Sequence, residues 1–185
     1  MRDRRRPLRL VAITMATLLA ACASAPSSET APPGLPSPWS EPPLNAAALP
    51  PIYVEVWRKA ENATRCALLA PERLDPTLQQ AARPRAATFS GGWAVAYDLP
   101  ETRSAFGIAG TGASAWSGDV YDAWPHRRVF ADSSRVGYGL EGGTGTNWLA
   151  YIRIPGQECL YNVWSRRGRE HLEELLGQLR FVKVQ

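Results

Sequence analysis

Apolar and small residues alternate in several short stretches of this chain, and that alternation predicts strands. Residues 93–99 follow two glycines and place large apolar side chains on one face and alanines on the other. Residues 104–109 repeat the alternation and are expected to form a partner strand. Stretches at 128–131 and 136–141 predict two further strands, the second followed by a glycine-rich turn. The middle of the chain is therefore predicted to be a sheet.

A hairpin is the clearest supersecondary element in the sequence. Residues 148–154 and 159–164 are both strand-like, and Pro155-Gly156 lies between them. Proline followed by glycine suits the two central positions of a type II turn, because glycine accepts the positive φ angle at the second position. The two stretches are therefore predicted to pair as antiparallel strands.

Helical periodicity appears before the sheet. Residues 51–69 carry apolar residues at helical spacing and begin with a proline that suits a first helical turn. The β-branched residues at their start also permit a short strand there. Asp75 followed by Pro76 predicts an N-cap and a short helix to about residue 83.

A second amphipathic helix is predicted near the end of the chain. Ser165 is the expected N-cap and Gly177 the expected C-terminal cap. Four leucines form one apolar stripe that suits packing on a sheet: Leu172, Leu175, Leu176 and Leu179. Residues 180–184 are predicted to return as a last strand.

The order of these elements predicts an α+β fold. We expect an antiparallel sheet with helices packed on one face, an N-terminal helix, and a late C-terminal helix followed by a last strand. This order resembles that of PsbP-like domains, through the strand that opens with Gly92-Trp93 and the ending LEELLGQLRFV. Members of that family are largely accessory or binding proteins, so the resemblance implies a role of that kind.

The first residues have the form of a bacterial export signal. Residues 1–9 are rich in arginine, and residues 10–21 are apolar and end in small residues. The junction Leu19-Ala20-Ala21-Cys22 resembles the bacterial lipobox. The resemblance implies that residues 1–21 are removed and that Cys22 becomes the lipidated first residue of the mature protein. Several acyl chains on one cysteine would hold a small domain firmly on a membrane.

The residues after Cys22 suggest a destination and a spacer. Ala23 and Ser24 stand where an inner-membrane lipoprotein often has aspartate, which implies the periplasmic face of the outer membrane. The inner membrane and the cell surface are the alternatives. Residues 22–50 are rich in proline, serine and alanine and predict a tether, in which Trp39 makes only a loose contact. The folded domain is then expected to span residues 51–185.

Charge argues against nucleic acid as a partner. The formal net charge of +4 comes from five arginines and one aspartate within residues 1–21. The rest of the chain holds 16 basic and 16 acidic residues, so the mature protein has no excess charge to attract phosphate backbones.

Two of the three cysteines remain after Cys22 is set aside. Export places Cys66 and Cys159 in an oxidising compartment, where an even pair indicates a disulfide. A reactive thiol is the alternative, but the sequence contains no Cys-x-x-Cys pair.

A candidate ligand or partner contact lies in an aromatic loop. Its residues are Trp116, Trp124, His126, Arg127 and Arg128, which together could receive an anionic group or a sugar ring. The alternative is a surface turn whose tryptophan fills the edge of the core.

The remaining tryptophans and His171 are expected to have structural positions only. Those within predicted elements, Trp164 among them, are expected in the core. His171 lies among glutamates and is expected on a solvated helix face.

Candidate chemistry is otherwise sparse. No zinc, calcium or phosphate-loop motif is present, no G-x-S-x-G occurs, and no metal or cofactor is expected. We therefore expect a non-enzymatic lipoprotein with a binding or accessory role in the cell envelope, its partner an envelope protein or glycan. The alternatives are an inhibitor or immunity protein against a cell-wall enzyme, and a small envelope hydrolase that uses the loops at 110–147.

Overall fold

The structure is a computed structural model that describes residues 34–87, 91–112 and 123–184. The leader, Cys22 and Trp116 lie outside these ranges. The helices are α1 Ile52–Lys59, α2 Pro76–Ala81 and α3 Arg169–Gln178, with short 3-10 helices at Pro38–Ser40, Ala46–Ala48 and Glu141–Gly143. The strands are β1 Leu44–Asn45, β2 Leu69–Pro71, β3 Arg83–Ala86, β4 Trp93–Leu99, β5 Thr102–Thr111, β6 His126–Val129, β7 Arg135–Leu140, β8 Trp148–Arg153, β9 Leu160–Ser165 and β10 Leu179–Lys183.

A seven-stranded antiparallel sheet dominates the fold, in the order β3-β4-β5-β9-β8-β7-β6. The last strand, β10, lies in a separate three-stranded sheet between β1 and β2. The combination of a mostly antiparallel sheet with separate helices is an α+β architecture, as the order of elements predicts.

The two faces of the large sheet differ, because neighbouring residues of a strand point to opposite sides. Tyr97 and Phe106 are paired across β4 and β5 and share one face. Tyr53 of α1 packs there through a hydroxyl contact of 3.1 Å with Tyr97, and His171 of α3 packs edge-on against Phe106. We call this the helix-side face. The opposite side, called the open face, carries the lateral row Leu149, Trp164, Gly107 and Ala96.

The predicted hairpin is present as β8 and β9. Gly156 has a φ of +81°, and Gln157 N–H donates to the Ile154 carbonyl at 3.1 Å, which closes the turn around Pro155. Asp75 is the N-cap of α2, and its carboxylate accepts from the backbone of Thr77. Both features depend on short-range chemistry, and both agree with the sequence prediction.

Helix boundaries depart from prediction where long-range contacts dominate. α1 ends at Lys59 rather than continuing to residue 69. The chain then turns so that the buried Asn62 amide donates to the carbonyls of Gly110 and Thr111. The N-cap of α3 is Gly168 rather than Ser165, and Gly177 lies inside the helix instead of capping it.

The domain begins earlier than the predicted boundary at residue 51. Residues 34–50, expected to belong to the tether, are packed on the domain, and β1 pairs with β10. Trp39 is only 3% exposed, so the expected loose contact is wrong. Its indole N–H donates to Asp132 at 3.1 Å and Ser134 at 3.0 Å, and its ring meets Phe130 edge-on. The composition of residues 34–50 alone predicts a tether, because it does not reveal that the contacts of this segment lie far away in the sequence.

The predicted disulfide is present. Cys66 and Cys159 are bonded, with Cα atoms 5.4 Å apart and a sequence separation of 93. Both cysteines are buried. The bond joins the turn after α1 to the residue before β9. Within the described ranges, no helix has the length and apolar character required to cross a membrane.

Candidate functional site

The structure does not bring the predicted contact residues together. His126 and Arg128 pair with Tyr138 and Val136 and lie on the helix-side face. Arg127 lies on the opposite, open face, as strand alternation requires. Trp124 also lies over the open face, and Trp116 is outside the described residues. The four residues that can be placed are therefore divided between the two faces, and their contact with a ligand stays a prediction.

His126 and Arg128 belong to a packing network beneath α3. The His126 ring lies 5.0 Å from the Tyr138 ring, and the Arg128 guanidinium lies 5.4 Å from the same ring. Glu173 of α3 accepts from the Tyr138 hydroxyl and from Arg169 Nε, both at 2.7 Å. Burial alone raises the pKa of Glu173, but these hydrogen bonds outweigh it and lower the pKa. Glu173 therefore attaches α3 to the sheet through its bond with Tyr138.

His171 is not on a solvated helix face, which corrects the sequence expectation. Its Nδ1 lies 2.9 Å from the Ser165 hydroxyl, and its ring packs against Phe106. Burial, followed by the charge of Arg167, lowers the pKa of His171 to about 4, so the ring is neutral near pH 7. Ser165 is completely buried and also accepts from Arg167 N–H. A substrate could not reach this hydroxyl, so the pair stabilises the start of α3 and is not a nucleophile with its base.

A groove formed by described residues lies on the open face of the sheet. It has a volume of about 630 Å³, within the range of small-molecule sites. Strands β8 and β9 supply its centre, and the ends of neighbouring strands supply its rim. We call it the open-face groove, and its lining residues are Ala87, Ser104, Glu141, Asn147, Leu149, Tyr151, Asn162, Trp164 and Arg166.

Trp164 lines the groove and lies over its cross-strand partner, which is a glycine. Trp164 and Gly107 are paired, and a Cβ atom on Gly107 would collide with the indole ring. The indole N–H donates to the Ser104 carbonyl at 3.2 Å, which fixes the direction of the ring. The half-buried indole therefore packs over Gly107 and contributes to the lining of the groove. This placement corrects the expectation that Trp164 belongs to the core.

A second indole is placed in the same way beside the groove. A Cβ atom on Gly139 would approach Trp124 to 2.8 Å, so Trp124 rests over that glycine. The Trp124 ring lies 5.8 Å from the Tyr151 ring. Trp124, Tyr151 and Trp164 thus form an aromatic series across the open face, which we call the aromatic track.

Polar groups surround the track with both donors and acceptors. Asn147 donates to Glu141 at 2.6 Å, and the Arg166 guanidinium donates to the Arg103 carbonyl at 3.5 Å. Burial raises the pKa of the Tyr151 phenol, and the negative charge of Glu141 raises it further, whereas a hydrogen bond with Asn162 lowers it. The net shift is upward, so Tyr151 remains a neutral hydroxyl at physiological pH.

A compact ionic cluster supports one wall of the groove. Arg85 donates to Asp98 at 2.7 Å and to the Ser104 hydroxyl at 2.6 Å, while Ser104 N–H donates to Asp98 at 2.6 Å. These bonds hold Ser104 at a φ of +51°, in the left-handed region that serine rarely adopts. Hydrogen bonds from Arg85 and the Ser104 backbone lower the pKa of Asp98. The same bonds therefore also hold the Ser104 carbonyl, which accepts from the Trp164 indole N–H.

Sequence reasoning missed most of this groove. The signal that could have revealed it is the pairing of Trp164 with Gly107 on adjacent strands. That pairing can be recognised only when the strand register is known. Within the described residues, no group of three or more His, Cys, Asp or Glu side chains could hold a metal ion. Comparisons with family models, curated proteins and solved structures gave no match to this chain.

We expect Gly107→Ala to destabilise the protein by about 1–3 kcal/mol and to displace the Trp164 ring, because the added methyl group overpacks the sheet surface. Urea denaturation and the near-ultraviolet circular dichroism of tryptophan measure the two effects. Gly177→Ala is the matched control, since no atom lies within 4 Å of the added Cβ and alanine favours the helix. Equal stability of Gly107→Ala and the parent would contradict the packing of Trp164 on Gly107.

Proposed function

We propose that this protein is a lipid-anchored, non-catalytic binding protein of the bacterial envelope, and that its ligand occupies the open-face groove. The observation that carries this proposal is the groove itself. It combines a fixed aromatic floor with a polar rim on one rigid sheet, an arrangement that suits recognition of a ligand.

The proposed location follows from the leader. The lipobox resemblance at Cys22 supports a lipid anchor on a membrane, and the residues after it favour the periplasmic face of the outer membrane. The Cys66–Cys159 disulfide suits an exported protein. Among the described residues, α1 and α3 pack on the helix-side face, and the groove lies on the other face of the sheet, which we propose as the side that meets a ligand.

Binding is favoured over hydrolysis by the chemistry of the lining. Glycoside hydrolysis generally uses two carboxylates. Among the described residues that line the groove, Glu141 is the only one with a carboxylate. The nearby Asp98 is held by Arg85 and has a lowered pKa, which is unsuitable for a general acid. We therefore assign the groove a binding role.

Replacing Cys22 by serine should abolish incorporation of radiolabelled palmitate, because serine offers no thiol to which the diacylglyceryl group can be attached. Labelling of whole cells followed by membrane fractionation measures this change. Cys66→Ala with Cys159→Ala is the control variant, and it should keep its label. A Cys22→Ser protein that is still labelled would overturn the proposed anchor.

Capture from envelope extract tests the groove. Detergent-solubilised full-length protein should retain an envelope component, and Trp164→Ala should lose it. Trp57→Ala is a matched control, because Trp57 is also half-buried and also donates its indole N–H to a backbone carbonyl, at Cys66. Equal capture by the parent and Trp164→Ala would reject the groove as the binding site. A captured cell-wall enzyme would favour an inhibitor.

A further inference from the structure

We infer that the open-face groove binds an oligosaccharide, with a sugar ring stacked on the indole of Trp164. This inference rests on the proposed function and specifies the chemical class of the ligand.

The aromatic track provides the surface on which a sugar ring can stack. A pyranose ring presents a flat side of C–H bonds, whose hydrogens carry partial positive charge. The face of an aromatic ring carries partial negative charge, so the two surfaces attract each other. Trp164 is fixed for this contact, because Gly107 supports one side of its ring and the Ser104 carbonyl holds its N–H. Little conformational entropy is lost when a ligand settles on a ring already held in place.

The rim provides the hydrogen bonds that a polyhydroxylated ligand requires. Each sugar hydroxyl both donates and accepts. Asn147 and Asn162 offer amide groups with both functions, Glu141 offers acceptors, and Arg166 offers donors. Tyr151 adds a neutral hydroxyl between the aromatic floor and these amides. An apolar lipid chain would instead leave these polar groups without partners, which is unfavourable.

The sheet also argues against an extended peptide as ligand. A peptide that adds to a sheet pairs with an unoccupied strand edge. The central strands of the groove already have neighbours on both sides: β9 lies between β5 and β8, and β8 lies between β9 and β7. Recognition here must use side chains, and the rings and amides present suit sugars.

Titration with defined oligosaccharides tests the inference. Detergent-solubilised full-length protein is titrated by calorimetry with cellotetraose and chitotetraose, with tetragalacturonate as the anionic comparison and an uncharged octapeptide as the peptide comparison. We expect saturable binding of at least one of the three oligosaccharides and none of the octapeptide. Trp164→Ala should weaken sugar binding about tenfold or more, since it removes the stacking surface. Trp57→Ala should bind like the parent.

Variants at the rim keep the test decisive if Trp164→Ala does not fold. Glu141 and Arg166 are exposed, so Glu141→Gln and Arg166→Ala should fold normally. Each should weaken sugar binding by about threefold to tenfold through a lost hydrogen bond. Binding of the octapeptide in preference to every oligosaccharide would overturn the inference. Absence of sugar binding while envelope capture still depends on the groove would overturn the glycan assignment and leave the proposed function intact.

Discussion

Removal of the Cys66–Cys159 disulfide should lower the free energy of unfolding by about 4–5 kcal/mol, the largest effect expected of any change in this domain. The bond closes a loop of 93 residues, and the chain-entropy model assigns long loops the largest stabilisation. Both cysteines are buried, where an unpaired polar group would be costly. Alanine has no polar side-chain atom, so the double variant Cys66→Ala, Cys159→Ala introduces no such group. Urea denaturation of this variant and of the oxidised parent measures the difference.

Reduction provides the control for this prediction. A thiol reductant should destabilise the parent toward the level of the double variant and leave the double variant unchanged. The neighbouring backbone bond from Glu158 N–H to the Arg65 carbonyl, at 2.9 Å, is present in both proteins and does not contribute to the difference. Titration of two free thiols in unreduced, denatured parent protein would contradict the prediction.

Features set by neighbouring residues were predictable from the sequence. The Pro155-Gly156 turn, the Asp75 cap and the strands on either side of residue 100 each depend on chemistry within a few positions. The disulfide followed from counting cysteines once Cys22 was set aside. In each case the deciding interaction was local or had only one partner available.

Features set by distant residues were not predictable. Ser165 resembles an N-cap, but its hydroxyl bonds to Arg167 N–H and lies beside His171, while Gly168 begins α3 with a φ of +100°. Trp39 belongs to a proline-rich segment, and nothing nearby in sequence indicates that Asp132 and Ser134 receive its N–H. Composition alone cannot reveal a partner more than 90 residues away.

Strand geometry explains why the predicted contact residues do not form a single cluster. His126, Arg127 and Arg128 are consecutive, and consecutive residues of a strand point to opposite faces. A cluster of adjacent residues was therefore possible only in a loop, and the structure places these residues in β6. The groove instead draws its residues from different strands, so it emerges only when the register of β5, β8 and β9 is known.

Trp39→Ala should destabilise the domain by about 3–5 kcal/mol, the usual cost of truncating a buried tryptophan. The variant loses the packing on Phe130 and leaves Asp132 without the indole donor.

Burial by itself raises the pKa of Asp132, and hydrogen bonds from Ser37, Ser134 and Trp39 outweigh it, so the pKa is lowered in the folded protein. Because the pKa of Asp132 is lower in the folded than in the unfolded protein, its carboxylate stabilises the fold at pH values above its pKa in the unfolded chain. This stabilisation is lost as the pH falls through its pKa in the folded protein. Trp39→Ala should therefore also reduce the acid dependence of stability.

Two comparisons separate packing from hydrogen bonding in this segment. Trp39→Phe keeps an aromatic ring but removes the indole N–H, so its loss of stability should be smaller, while the acid dependence should fall as in Trp39→Ala. Leu35→Ala is the control within the same segment, because Leu35 is 49% exposed and its replacement should change stability by less than about 0.5 kcal/mol. Denaturation in urea at several pH values measures all three variants. A chain beginning at residue 51 that unfolds at the same urea concentration as the full-length protein would show that residues 34–50 are a tether after all, because the domain would then be stable without Trp39.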